Sequence, residues 1–145
     1  VNFDKTQMIY GNIFEAFASN VETLAFLNNL VSGRKFDEFQ TMTAAKYATL
    51  DKASRFGPFQ DNAAFSAICT EADNQLRNGT HHGGAEFDKK SRHIRYRAGK
   101  GGQGPEQQLG YAKYLAKCSR LFIQSMVLLK LELLIANRFG VRLPF

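Results

Sequence analysis

Cysteine is scarce in this sequence, and several familiar site signatures are missing. The chain has two cysteines, Cys69 and Cys118, and no Cys-x-x-Cys pair. Both lie in stretches with a helical apolar pattern and far apart in sequence, so we expect reduced, buried thiols rather than a disulfide or a zinc site. The Gly-x-Ser-x-Gly turn of serine hydrolases is absent, as is a glycine-rich loop that ends in Gly-Lys-Ser or Gly-Lys-Thr. The sequence therefore carries no signature of serine-hydrolase or P-loop chemistry.

Long apolar segments are also missing. The longest apolar run, residues 125–135, contains Lys130 and Glu132, so it is too short and too charged to cross a bilayer. The N-terminus has no secretory signal pattern, and we therefore expect a cytoplasmic protein. The chain begins with Val1 rather than Met, which leaves open that it is the C-terminal part of a longer protein.

Acidic side chains are outnumbered by basic ones. The chain has 13 Asp and Glu against 19 Lys and Arg, which gives a net charge of +6. This excess favours an anionic partner, although a solvated basic surface is the alternative interpretation. With 145 residues and 44% apolar content, we expect a single globular domain over residues 1–145.

Apolar residues recur at intervals of three and four over most of the chain, which predicts helices. The first helix is expected over residues 7–32, with Gly33 just past its end. A second, capped by Thr41 or Thr43, is expected to reach about residue 55. A third is expected from Pro58 to the region of residue 77.

The final helix is expected to start between residues 106 and 109 and to end at about Arg138, before Gly140. From Leu121 to Ile135 it is apolar on most faces, more than packing within one chain needs. This pattern predicts a core helix that also offers a surface to a second copy of the chain.

Before the final helix the pattern changes from helical to alternating. Residues 85–88 and 92–97 alternate apolar and polar side chains, which predicts a small β-hairpin. On its second arm, Ile94 and Tyr96 share one face. The predicted fold class is thus all-α: a bundle of four to five helices, with a small β-hairpin inserted before the long C-terminal helix.

One window, residues 73–84, combines a fixed cation, adjacent histidines and glycines. Arg77 stays charged and presents a planar fork of donors suited to phosphate oxygens. His82 can take or give a proton near neutral pH. Together they could cleave RNA without a metal, because the histidine can deprotonate a ribose 2′-hydroxyl while the arginine stabilises charge on the phosphorus oxygens. We expect the backbone to turn at Gly79, so that both side chains face one concavity.

The pattern Arg77-Asn78-x-x-x-His82 resembles the signature of the HEPN family. The resemblance extends to the glycine after His82, to the strand-like segment beyond it and to the long apolar final helix. HEPN domains are helical and usually dimeric, and many are metal-independent ribonucleases of toxin–antitoxin, phage-defence and CRISPR systems. The resemblance implies an HEPN-like bundle with catalytic Arg77 and His82, with Asn78 positioning the site, and with dimerisation completing it. It implies no cofactor.

Other polar side chains are candidates for RNA or phosphate contacts. His81 and Thr80 neighbour the motif, and basic residues follow on the hairpin and its loop, namely Arg92, Arg95, Arg97 and Lys100. A charged edge hairpin that stays soluble is the alternative for this basic segment. For Arg77 itself, an ion pair with Asp73 is expected, which would either brace the helix or fix the orientation of the guanidinium. Adjacent histidines rarely share one metal ion, so we expect no metal site.

Three functions remain after these exclusions, and the third is a plain interaction or assembly domain that uses the final helix. The first is a metal-independent endoribonuclease in a toxin or phage-defence context, which would leave 2′,3′-cyclic phosphate ends. The second is a non-catalytic HEPN module that binds a nucleotide or a partner and dimerises. The expected partners are RNA or nucleotide and a second copy, held through the C-terminal helix and the motif face. An antitoxin or an upstream regulatory domain is left open as a further partner.

Overall fold

The computed structural model describes residues 3–81, 84–99 and 102–141. The described chain is mostly helical, with one small sheet. In chain order the elements are α1 (Phe3–Asn20), α2 (Glu22–Val31), α3 (Ala44–Ala48), a 3-10 helix (Ser54–Phe59), α4 (Ala63–Ala67), α5 (Asn74–His81), β1 (Glu86–Asp88), β2 (His93–Arg97), β3 (Glu106–Gly110) and α6 (Tyr111–Arg138).

The prediction of an all-α bundle of four to five helices is wrong. The described residues contain six α-helices, a 3-10 helix and a three-stranded antiparallel sheet in the order β1-β2-β3. The predicted hairpin is confirmed as β1 and β2, with Phe87 opposite Ile94. Strand β3 was missed because its sequence, Glu-Gln-Gln-Leu-Gly, is polar and buries only Leu109. It becomes a strand by pairing with β2, where Leu109 lies opposite Ile94, and local sequence does not show such pairing.

Two predicted helix boundaries are confirmed by their capping geometry. Gly33 follows α2 with a φ of +75° and its N–H donates to Leu30 O at 2.9 Å. The next N–H, of Arg34, donates to Asn29 O at 2.9 Å, which completes a Schellman motif. Thr43 caps α3, because its Oγ1 accepts from the Lys46 N–H at 3.1 Å.

Other predicted helices are shorter than expected. The single helix over residues 7–32 is divided at Val21 into α1 and α2. The second predicted helix ends at Ala48 and not at about residue 55. The third is replaced by the end of the 3-10 helix, α4 and α5, since Asn62 starts α4 afresh by accepting from the Ala64 N–H at 3.1 Å. Helix α6 begins at Tyr111, after β3, and ends at Arg138 as predicted, with Gly140 at a φ of +64°.

The described residues pack into two compact units. The first lies within Val1–Ala16 and Glu71–Ile123 and contains the sheet and α5. Its core is aromatic, with Tyr10 and Tyr114 fully buried. The Tyr114 hydroxyl donates to Thr6 O at 2.7 Å and so ties α6 to α1 inside this unit.

The second unit lies within Phe17–Thr70 and Gln124–Phe145. Stacked rings form part of its core, with the Phe39 and Tyr47 centroids 4.7 Å apart. The buried Asn28 side chain donates to Pro58 O at 2.9 Å, which fixes α2 against the 3-10 helix. The assignment of residues 1–145 to one domain stays a prediction.

Candidate functional site

Helix α5 carries most of the predicted motif, and its start is fixed by a side-chain cap. Asp73 Oδ1 accepts from the backbone N–H groups of Gln75 at 3.1 Å and Leu76 at 3.0 Å. These N–H groups have no partner within the helix, so the carboxylate satisfies them. The buried Tyr10 hydroxyl accepts from the Asp73 N–H at 2.7 Å and donates to Glu71 O. Helix α5 therefore begins at a fixed place on α1.

Glycines let the far end of α5 approach two neighbours closely. A Cβ atom on Gly79 would lie 2.6 Å from the Tyr96 Cβ of β2, and one on Gly11 of α1 would lie 2.7 Å from the His81 Cβ. Real Cβ contacts are not this short, so both glycines are needed for the approach. The predicted turn at Gly79 is wrong, because this residue is helical and its role is close packing. The last turn of α5 is thus held between α1 and β2.

Arg77 lies in the middle of α5 and is bound to an acidic side chain of α1. Its Nε donates to Glu15 Oε1 at 2.6 Å, and its Nη2 donates to the same oxygen. The side chains of Arg77 and Glu15 are 20% and 30% exposed, so the pair is only partly shielded from solvent. On the other side, Arg77 Nη1 donates to Asn78 Oδ1 at 2.8 Å. The guanidinium plane is therefore fixed by two neighbours.

Asp73 does not play the part predicted for it. One of its carboxylate oxygens caps α5, and the other is 3.9 Å from Lys117 Nζ of α6. The predicted brace of Arg77 is supplied instead by Glu15, which is 62 positions away in sequence. No local spacing relates residues so far apart, so the sequence offered no signal for this partner.

The histidine part of the motif is only partly described. His82 and Lys100 lie outside the described residues. His81 is the last residue of α5, is half-buried and packs beside Gly11. Thr80 is fully buried and its hydroxyl donates to Leu76 O at 2.8 Å, so this hydroxyl is directed at the helix backbone and not at solvent.

The predicted basic contacts on the hairpin lie on a different face from α5. Tyr96 and Ile94 of β2 are buried, and Tyr96 meets α5, whereas Arg95 and Arg97 alternate with them and are exposed. The predicted two faces of this strand are thus confirmed. Arg95 Nη2 lies 3.5 Å from Glu86 Oε2 on β1. Arg92 is exposed in the turn before β2, with a φ of 57°. The structure therefore does not bring Arg95 and Arg97 to the side of the sheet that packs on α5.

A second polar cluster, missed by the sequence reasoning, supports the start of α5. The Glu71 carboxylate accepts from Arg120 Nε at 2.5 Å and from Lys117 Nζ at 3.3 Å, both on α6. The hydrogen bond from Arg120, together with Lys117, lowers the pKa of Glu71 below its usual value. Burial raises the pKa of the neighbouring Tyr10 hydroxyl, which therefore stays protonated. This cluster joins α6 to the segment that leads into α5.

Both cysteines are free thiols, as predicted. Cys118 is buried in α6 and Cys69 is half-buried. Burial raises the pKa of the Cys69 thiol to about 12 and raises that of Cys118 as well. A thiol is a good nucleophile only as the thiolate, so neither is suited to nucleophilic chemistry at neutral pH. In the parts of the chain that the structure describes, no three His, Cys, Asp or Glu side chains are grouped to hold a metal ion.

Among the helices of the described residues, none combines the length and the apolar character needed to span a membrane.

Comparison with protein-family models, with curated proteins and with solved structures finds no match for this chain. The function is therefore inferred from the chain's own residues. These are the partly buried Arg77 on the tightly packed helix α5, its acidic partner Glu15, and the exposed basic side chains.

Proposed function

We propose that this protein is a metal-independent endoribonuclease that cleaves RNA by attack of the ribose 2′-hydroxyl on the adjacent phosphate. The observation that carries the proposal is the half-buried Arg77, whose guanidinium plane is fixed by Glu15 and Asn78 on a helix packed on two sides. An arginine held in this way is preorganised to stabilise charge on phosphorus oxygens. The net charge of +6 supports an anionic substrate.

The proposed reaction needs only proton transfer and charge stabilisation. His82 takes the proton of the 2′-hydroxyl, whose oxygen forms a bond to phosphorus. The bond from phosphorus to the 5′-oxygen breaks, and the protonated His82 returns the proton to that departing oxygen. The products are a 2′,3′-cyclic phosphate and a free 5′-hydroxyl. Arg77 stabilises the phosphorane oxygens and Asn78 positions Arg77. Arg92, Arg95, Arg97 and Lys100 contact RNA away from the reacting phosphate.

A second copy of the chain is proposed to complete the site through the motif face and the C-terminal helix. The proposed setting is a cytoplasmic toxin or phage-defence system, in which an antitoxin or an upstream domain holds the activity off. The resemblance of Arg77-Asn78-x-x-x-His82 to the HEPN signature supports this setting.

The test is cleavage of a mixed RNA pool in EDTA by four proteins: wild type, Arg77→Ala, His82→Ala and His93→Ala. His93 is a matched control, because it lies on β2 and its Nδ1 is bonded to Ser91 O at 2.7 Å. We expect cyclic phosphate ends from wild type and His93→Ala, and a loss of at least about 100-fold in the other two. Equal cleavage by wild type and His82→Ala would remove the proposal, and circular dichroism would confirm that each variant folds.

The ion pair between Arg77 and Glu15 favours a second candidate function. The Glu15 carboxylate occupies the Nε and Nη2 donors of Arg77 and compensates the charge of its guanidinium, so less of that charge is left to stabilise a transition state. The alternative is therefore a non-catalytic module that binds a nucleotide or a partner. Titration of wild type and Arg77→Ala with a fluorescent nucleoside triphosphate distinguishes the two functions. Binding that depends on Arg77, without RNA cleavage, supports the module.

A further inference from the structure

The second compact unit contains a cavity that the proposed ribonuclease does not use. Its volume is about 410 Å³, and its lining residues all lie within positions 29–61. They come from the end of α2, from the chain on both sides of α3 and from the region of the 3-10 helix. Small-molecule sites span roughly 300–1,000 Å³, so this cavity suits a small ligand.

Two buried asparagines of α2 hold two walls of the cavity in place. Asn29 is 1% exposed and its Nδ2 donates to Phe36 O at 2.8 Å, which fixes the segment after α2. Asn28 Nδ2 donates to Pro58 O at 2.9 Å, and Asn28 Oδ1 accepts from Asn62 Nδ2 at 3.0 Å. Both walls are therefore tied to one helix, and a ligand would enter a preformed site.

Arg34 lines the cavity with a guanidinium that is oriented but not neutralised. Its Nε donates to Glu38 O at 3.1 Å and its Nη2 donates to Asn29 Oδ1 at 3.3 Å. Both acceptors are uncharged. Among the residues that the structure describes, Nη1 has no acceptor and no carboxylate lies within salt-bridge distance of Arg34. A guanidinium held in this way suits the carboxylate of a ligand.

Asp61 carries the other charge on the cavity lining. It is exposed, and within the described parts of the chain it has no ion-pair partner, Arg34 included. Its carboxylate would repel the phosphates of a nucleotide and attract an ammonium group. The two charges therefore favour a ligand that carries one charge of each sign.

The cavity also has an apolar part, formed by Phe39, Met42, Leu50 and Pro58. Phe39 is held in place by stacking on Tyr47, with ring centroids 4.7 Å apart. An apolar group of the ligand would remove this surface from water, which is favourable.

We propose that this cavity binds a small zwitterion, with its carboxylate at Arg34, its ammonium group at Asp61 and an apolar body between them. A free amino acid with an apolar side chain and a short peptide of such amino acids share this chemistry. The proposal goes beyond the proposed ribonuclease and does not depend on it, because these residues belong to the second unit and Arg77 belongs to the first.

The test is isothermal titration calorimetry of the full chain with L-leucine, L-phenylalanine and the dipeptide leucyl-leucine. We expect at least one of them to bind with a Kd below about 1 mM. Binding of leucyl-leucine alone would assign a peptide, and binding of either amino acid would assign a free amino acid. Analogues that lack the ammonium or the carboxylate group, which for L-leucine are 4-methylpentanoate and 3-methylbutylamine, should bind at least about tenfold more weakly.

Two variants assign each charge of the ligand to its partner. Arg34→Gln should weaken binding at least about tenfold and should bind the zwitterion no better than the analogue without a carboxylate. Asp61→Asn should do the same for the analogue without an ammonium group. Circular dichroism shows whether each variant folds. If Arg34→Gln does not fold because it loses its bond to Asn29, the exposed change Asp61→Asn carries the test.

Lys35→Gln and Asp37→Asn are the matched controls, since both side chains are exposed in the same segment and do not line this cavity. They should leave binding unchanged. The proposal would be overturned if none of the three zwitterions bound, if the analogues bound as tightly as the zwitterion, or if Asp61→Asn bound it like wild type.

Discussion

At the scale of single residues, the ion pair of Arg77 with Glu15 is the feature that most directly shapes the candidate site. Glu15→Gln keeps an oxygen that can accept from Arg77 but removes the charge. Because the pair is partly shielded, we expect the free energy of unfolding to fall by about 1 kcal/mol. Urea denaturation of wild type and variant measures the change.

Glu86→Gln is the natural control for that measurement. Glu86 also faces an arginine, Arg95, but its side chain is 78% exposed. An exposed pair of this kind contributes little, so its loss should change the free energy of unfolding by less than about 0.5 kcal/mol. Equal effects of the two substitutions would show that shielding of Glu15 adds nothing to its pair with Arg77.

At the scale of elements, the cap of α5 can be tested apart from its charge. Asp73→Ala removes the oxygen that accepts from Gln75 and Leu76, and we expect a loss of about 1 kcal/mol in the free energy of unfolding. Asp73→Asn keeps that oxygen and should lose less than about 0.5 kcal/mol. If thermal and urea denaturation showed the two variants to be equally unstable, the charge near Lys117 and not the cap would be the cause.

The packing of α5 on β2 makes a second prediction about this helix. Gly79→Ala improves helix propensity by about 1 kcal/mol, yet its Cβ would meet the Tyr96 Cβ, and overpacking commonly destabilises by about 1–3 kcal/mol. We expect a net loss of stability in urea denaturation. Gly57→Ala, in the 3-10 helix, is the control because a Cβ there meets nothing within 4 Å. A stabilised Gly79→Ala protein would contradict the close approach of α5 and β2.

At the scale of the whole molecule, the Glu71 cluster predicts how stability depends on pH. The hydrogen bond from Arg120 and the charge of Lys117 lower the pKa of Glu71 in the folded protein. Unfolded glutamate has a pKa of about 4.3, so the unfolded chain binds the proton first as pH falls. The contribution of Glu71 is therefore complete well above pH ~4.3 and is lost as pH falls through the lower folded value.

Glu71→Gln and Arg120→Gln should both reduce the fall in the free energy of unfolding between about pH 5 and pH 3, as measured by urea denaturation. Some acid sensitivity should remain, because hydrogen bonds from Ser54 also lower the pKa of Asp51. If the free energies of unfolding of wild type and Glu71→Gln fell in parallel with pH through this range, the cluster would not be a source of acid sensitivity.

The local features of this fold were predictable where the residues that cause a feature lie within a few positions of it in sequence. Gly33 ends α2 because a left-handed residue is needed there, and Thr43 caps α3 with its own hydroxyl. The two faces of β2 follow from alternation alone. The divisions between helices at Val21 and Asn62 were not predicted. Apolar periodicity continues across Val21, and the break at Asn62 depends on an asparagine cap, which is a weaker sequence signal than a glycine or a proline.

The sequence by itself determined the hairpin, most helix-forming stretches, the free thiols, the basic charge and the presence of an arginine with a nearby histidine in one window. The tertiary structure alone decided that residues 106–110 form a strand, that Glu15 and not Asp73 binds Arg77, and that Thr80 is closed off while Arg95 faces away from α5. The physical reason is the range of the interactions. Caps, turns and alternation act over a few residues, whereas strand pairing, ion pairs between helices and burial join positions that only the folded chain brings together.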